Sequence, residues 1–401
     1  MPVTTTYKRS CTTDRTPGNV RATMRSVHYT SALPSLICPL ALTVLLAGCF
    51  GGDGSGGDDG SRTGQLMPAG ISGLTYSTAS RNGTTDANGR FNYYPGERIS
   101  LRVGNLQLAD GIPARSIVTP LEFFPDLRTA LEIPGTTDEG LQNHRLTEQQ
   151  LIQDEVTLIN MTRFLLALNW SLNLSNGQGI DIRERVITQL NAALPDLDAP
   201  IDFNVPENDF AEGGNSPSPA NQLLQSICFY PADDELCEDP PTEEEIANAD
   251  PRPDEEEDRD DDVEYREDLQ SKRDRILNAV RSLEDVDVED AEGYLTRELD
   301  TISTQLANRY YLDDYVAEFS ASDTAIKTVR VRKIADQPQL DTIEAISTRD
   351  QDVVVHSFDW QSASVEYFVA GESGGESELL VNFRPEGTYR WVKKQLRVLI
   401  Q

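Results

Sequence analysis

The chain has 401 residues, with 67 acidic side chains against 35 basic ones and a net charge of -32 at neutral pH. That balance excludes nucleic acid as a partner, because binding a polyphosphate relies on cationic neutralisation and counterion release. A 38% hydrophobic content with only 7% aromatics supplies material for two or three domains rather than one large core.

The first element is an apolar run of about 14 residues, Leu33 to Leu46, preceded by Arg25 and His28 and ending Leu46-Ala47-Gly48-Cys49. It is shorter than the roughly 20 residues a membrane-spanning helix needs, and Pro34 and Pro39 interrupt it. The pattern resembles a bacterial lipoprotein signal, which implies that residues 1–48 are removed, with Met24 as the better start, and that Cys49 is acylated with palmitate-type chains. The resemblance makes the membrane, reached through that anchor, a partner and the cell envelope the location. Phe50, in place of the Asp that marks inner-membrane retention, points to the outer membrane. Residues 49–69 then read as the lipidated Cys and a flexible tether, GGDGSGGDDGSRTG at its heart. Removing residues 1–48 leaves 30 basic against 66 acidic side chains, a surface suited to a halophilic or halotolerant bacterium.

Residues 70–120 predict a small antiparallel β module. Phe91, Tyr93, Ile99, Leu101 and Val103 alternate as one buried face requires, and Asn82-Gly83, Asn88-Gly89 and Pro95-Gly96 read as tight turns. Asp86 and Asn88 lack the twelve-residue calcium pattern and predict a turn bonded to its own backbone. This stretch resembles the carboxypeptidase-regulatory and adhesin-type β modules of secreted bacterial proteins, which serve as stalks or carriers.

Residues 121–225 switch to helical periodicity. Thr147-Glu148-Gln149-Gln150 and Asp181-Ile182-Arg183-Glu184 read as capping boxes opening two amphipathic helices. Between them Asn173, Ser175 and Asp181 form an oxygen-rich turn that could hold calcium, although a single carboxylate favours a plain loop. Residues 226–265 combine Cys228 and Cys237, an even pair predicting a disulfide in an oxidising compartment, with a densely acidic linker. Residues 266–312 carry two apolar stripes, one running Leu269 to Leu283 and one Leu295 to Tyr310, that predict a helical hairpin. Residues 325–401 return to strand periodicity in six runs and predict a β-sandwich-like module, immunoglobulin-like in type. The expected fold class is thus multidomain α+β.

No catalytic residue is assigned. Gly371-Glu372-Ser373-Gly374-Gly375 fits G-x-S-x-G, with His356 upstream, but strand-like runs on both sides predict a Gly-rich hairpin loop rather than a nucleophile elbow. No HExxH, P-loop or dinucleotide motif is present. Across residues 66–401 the order of elements resembles a family of uncharacterised lipoproteins from halophilic marine gammaproteobacteria, some of whose members carry an organic solvent ABC transporter permease label. A permease needs several long apolar spans, and beyond Cys49 the longest uninterrupted apolar run is Phe164 to Leu168. The expectation is a lipid-anchored envelope protein with a non-catalytic binding or structural role and an envelope protein as partner. The alternatives are an accessory or solute-binding lipoprotein of an ABC-type system, which calls for an apolar cleft, and an enzyme with a carboxylate or calcium site.

Overall fold

The computed structural model describes residues 60–172, 177–214, 216–256, 259–260 and 262–401. The signal segment, Cys49, most of the Gly/Asp tether, Asn173 and Ser175 lie outside them. The architecture is the α+β one expected: antiparallel strands first, helices in the middle and a sandwich-like pair of sheets at the C-terminal side.

The strand Arg62–Leu66 pairs antiparallel with Arg90–Tyr93 and parallel with Ile117–Val118. A second sheet has the order Asn82–Thr84, Thr75–Ser77, Arg98–Val103, Leu106–Pro113. All five alternating residues from Phe91 to Val103 are buried. Asp86 makes the expected turn, its Oδ1 accepting from the backbone N–H of Asn88 and of Arg90 at 2.9 Å each. Asn82-Gly83 is not a turn. The chain reverses just before it, with Thr78 N donating to Arg81 O at 2.7 Å, and Gly83 lies in a strand against the Tyr76 ring, where a Cβ would approach to 3.1 Å.

These strands and the helices that follow fill one hydrophobic core, from Leu66 through Phe164 to Ile302. A thin sheet has one face to bury, and the helices supply the second layer. The expected Thr147 cap is displaced. The helix His144–Asp154 opens four residues earlier on Asn143, whose side chain accepts from Arg145 N, while Thr147 Oγ1 donates to Ile133 O. The chain turns extended at Glu155 and a second helix, Val156–Ala167, runs buried through the core. Likewise Asp181 caps nothing. It sits in a short strand, Ile180–Asp181, beside Ile71–Ser72, and the helix Glu184–Ala193 follows Arg183.

The two later helices are Arg266–Asn278 and Val288–Asn308, and they part company instead of pairing as a hairpin. The long helix lays Leu295, Leu299 and Ile302 into the first core. The shorter one packs beside Glu243–Asn248 and the Cys228–Cys237 loop. Its cations explain why: Lys272 pairs with Glu238 and Arg275 with Glu235, both at 2.6 Å. The acidic stretch is thus largely exposed, yet partly ordered by the basic face of the following helix.

All six expected C-terminal strands form, and Tyr310–Leu312 and Val316–Phe319 join them. Tyr310, read from its spacing as the end of a helix, begins a strand because the helix stops at Asn308. Two four-stranded sheets result, antiparallel except where Val316–Phe319 runs parallel to Val392–Ile400. Val331, Val365, Phe383 and Leu396 fill the second core from both sheets.

Candidate functional site

The residues singled out from the sequence do not converge. Ser373 lies in a loop that crosses from one sheet to the other, from Ser364–Val369 to Glu376–Pro385, so the expected hairpin is a sheet-to-sheet connection. Strand precedes it and strand follows, and Gly374 N is tied to Ile400 O at 2.8 Å. An elbow that lifts a serine oxygen at a helix start is not formed here. His356 stands exposed on the strand Val353–Asp359. The carboxylate of Asp181 is engaged by Arg183 Nε at 3.0 Å and by the Ser72 hydroxyl at 3.2 Å. Among the described residues no group of three His, Cys, Asp or Glu side chains could hold a metal ion. Cys228 and Cys237 form the expected disulfide, with Cα atoms 5.5 Å apart.

The densest polar chemistry lies elsewhere, where the loop before the last strand, Val392–Ile400, enters the first core. Tyr389 belongs to that core although its neighbours in sequence belong to the second. Its hydroxyl donates to Glu148 Oε1 at 2.7 Å and accepts from Arg390 at 2.6 Å. Arg390 Nε lies 3.3 Å from the same carboxylate oxygen, an ion pair without hydrogen-bond geometry. Glu148 is 3% exposed and Arg390 4%. Burial raises the Glu148 carboxyl above its ordinary range, against the pull of Arg390 and the Tyr389 hydroxyl. Burial also pushes the Tyr389 phenol well up. Arg390 stays protonated because the groups around it outweigh its desolvation.

One turn away, His144 Nδ1 accepts from Trp391 N at 3.0 Å, and Nε2 faces Ser303 Oγ at 3.1 Å. Burial first, then the charges of Arg390 and Arg145, lower its pKa to about 3. The ring is therefore neutral, and an Nδ1 that accepts leaves the proton on Nε2, which donates to Ser303. That tautomer cannot take a proton from the serine, so His144 and Ser303 are not a base and nucleophile. Beside them Gln142 N donates to Glu344 Oε1 at 2.7 Å, and Asn382 Nδ2 bonds both Gln142 O and Glu344 Oε1. The whole cluster works as a latch between the helical part and the sandwich.

Several clefts border the latch. One of about 260 Å³ is lined by His144, Ser303, Asn382, Trp391 and Lys393 among others. Another, of about 440 Å³, reaches Tyr389 and is lined by Pro113, Pro125 and Leu131 together with Arg98, Arg115 and Arg128. It has the size of a small-molecule site, but three arginines line it where the solute-binding alternative called for an apolar cleft. Sequence reasoning missed both latch and cleft. For the cleft a signal existed: residues 98–128 hold four Arg and three acids in a chain otherwise dominated by carboxylates. The chain matches no protein-family model and no curated protein.

Proposed function

We propose that the chain is a lipid-anchored protein of the bacterial cell envelope, at the outer membrane, with a non-catalytic binding or structural role and an envelope protein as partner. The observation that carries the reading is Cys49, placed directly after a short apolar run and directly before a Gly/Asp tether, with the first described strand opening at Arg62. The Cys228–Cys237 bond supports it, since such bonds persist in oxidising compartments. The use of His144 and Ser303 as structural groups supports the non-catalytic part. Among the described residues no helix is long and apolar enough to cross a membrane.

Metabolic labelling with a palmitate analogue tests the anchor. Label on the native chain and none on Cys49→Ser is expected, and equal label on both overturns the reading. A specific envelope protein recovered by pull-down is expected, and no recovery together with an intact envelope on deletion counts against the role. A second reading, the solute-binding lipoprotein of an ABC-type system, draws on the size of the 440 Å³ cleft alone, since the charged lining departs from the apolar cleft that reading calls for.

A further inference from the structure

The arginine-headed cleft inverts the composition of the chain around it. Three guanidiniums line it with two carboxylates, and both carboxylates are already engaged. Glu122 is buried, takes the N–H of Thr119 at 3.0 Å and stands 3.6 Å from Arg115. Glu132 faces Arg384 at 3.7 Å. Among the described residues no carboxylate lies within 4.0 Å of the Arg98 or Arg128 guanidinium. Each of these two is held in place by main-chain oxygens instead. Arg98 Nη1 donates to Gly111 O at 2.6 Å, and Arg128 Nη1 donates to Glu122 O at 2.7 Å and to Phe123 O at 3.3 Å.

Anchoring one nitrogen of a guanidinium leaves the rest of its planar fork free and oriented. Both forks line the one cleft, and there burial first and the charge of Arg98 second lower the Arg128 pKa, with Glu122 and Asp110 opposing. In a chain with 67 acids, three arginines lining one cleft, two of them without a carboxylate within 4.0 Å, give an anion a locally positive place on an otherwise acidic molecule. Two fixed positive charges over an apolar wall of Pro113, Pro125 and Leu131 suit one doubly charged oxyanion bearing an organic remainder.

We propose that this cleft binds a phosphate monoester, gripped by Arg98 and Arg128 with Arg115 as the third donor, the phosphate being either that of a free small molecule or a lipid headgroup. The proposal rests on the binding role given above but fails separately from it, since that role is decided by partner recovery and the ligand class by titration.

The test uses the full chain carrying Cys49→Ser, so that no attached lipid contributes, in low-salt buffer. Calorimetry with sn-glycerol 3-phosphate and with succinate is paired with sedimentation on phosphatidylcholine vesicles with and without phosphatidic acid. Binding of glycerol phosphate assigns a free ligand, and retention only on phosphatidic acid vesicles assigns a headgroup. In either case Arg98→Met weakens binding about tenfold or more, the loss of a charge-assisted contact. Arg128→Met does the same if its melting temperature is kept. Because Arg128 Nη1 also ties two carbonyls, Arg98→Met carries the decision where Arg128→Met unfolds. No binding of either phosphate probe, succinate bound as tightly as glycerol phosphate, or unchanged affinity in Arg98→Met overturns the proposal.

Discussion

The latch around Glu148 and the acidic segment between Asp233 and Asp268 both join carboxylates to cations, and they do so in opposite solvents. In the latch one carboxylate, one phenol and one guanidinium are all but sealed from water. In the segment, pairs such as Arg275 with Glu235 and Lys272 with Glu238 stay hydrated and screened. Water decides the weight of each pair. Where it is excluded, removing one partner leaves a charge with nowhere to go, and where it is present the solvent replaces the partner at little cost.

That contrast can be broken by measurement. Glu148→Ala, which strands the Arg390 charge, is expected to cost about 3–5 kcal/mol in urea unfolding; a cost below 1 kcal/mol would make the latch no different from a surface pair. Next comes the disulfide that ties Cys228 to Cys237 at the start of the acidic segment. Replacing Cys228 and Cys237 by Ser is expected to cost about 2–3 kcal/mol from loop entropy, read as a lower urea midpoint that reduction of the native chain reproduces.

Protonation sharpens the comparison. His144 has a folded pKa of about 3 against an ordinary 6.5, so in the window between them the unfolded chain holds a proton that the folded chain refuses. Stability therefore falls as pH drops through that window, by up to about 1.4 kcal/mol per unit. Glu148 works in the opposite direction above pH 4.5, because its raised carboxyl takes up a proton in the folded state first, and it offsets part of the loss. Unfolding free energies at pH 7, 6 and 5 should show the decline in the native chain and a flatter line in His144→Gln. Parallel lines would remove His144 from the account. The smallest effect is expected for Arg275→Ala, under about 1 kcal/mol and smaller still in added salt, by the same unfolding assay.

Local patterns were legible and long-range ones were not. The strand alternation from Phe91 to Val103, the Asp86 turn and the six later strands depend on neighbours within a few residues, and each appears where its periodicity put it. Thr147 and Asp181 misled because a hydroxyl or carboxylate three residues before a Glu or Gln can equally serve a tertiary contact, as Thr147 does with Ile133 and Asp181 with Ser72. Arg266–Asn278 and Val288–Asn308 were read as partners because they are adjacent, whereas the acidic loop claims the basic face of one and the first core claims the apolar stripe of the other. Nothing in the vicinity of Glu148 announces Tyr389, 241 residues away, or ties His144 to the backbone of Trp391. The arginine cleft was half legible, as a stretch whose charge runs against the chain's own bias.

The placement of Tyr389 in the first core also sets an order of assembly. A ribosome works from one end, so the carboxylate of Glu148 and the ring of His144 are made long before the tyrosine and arginine that cover them. Until that late segment emerges, the earlier core stays wet at one wall, a nascent body waiting for its lid. Its completion is then an event timed by translation, and a chain stalled before residue 389 is left with an unfilled gap and two groups built for a dry site.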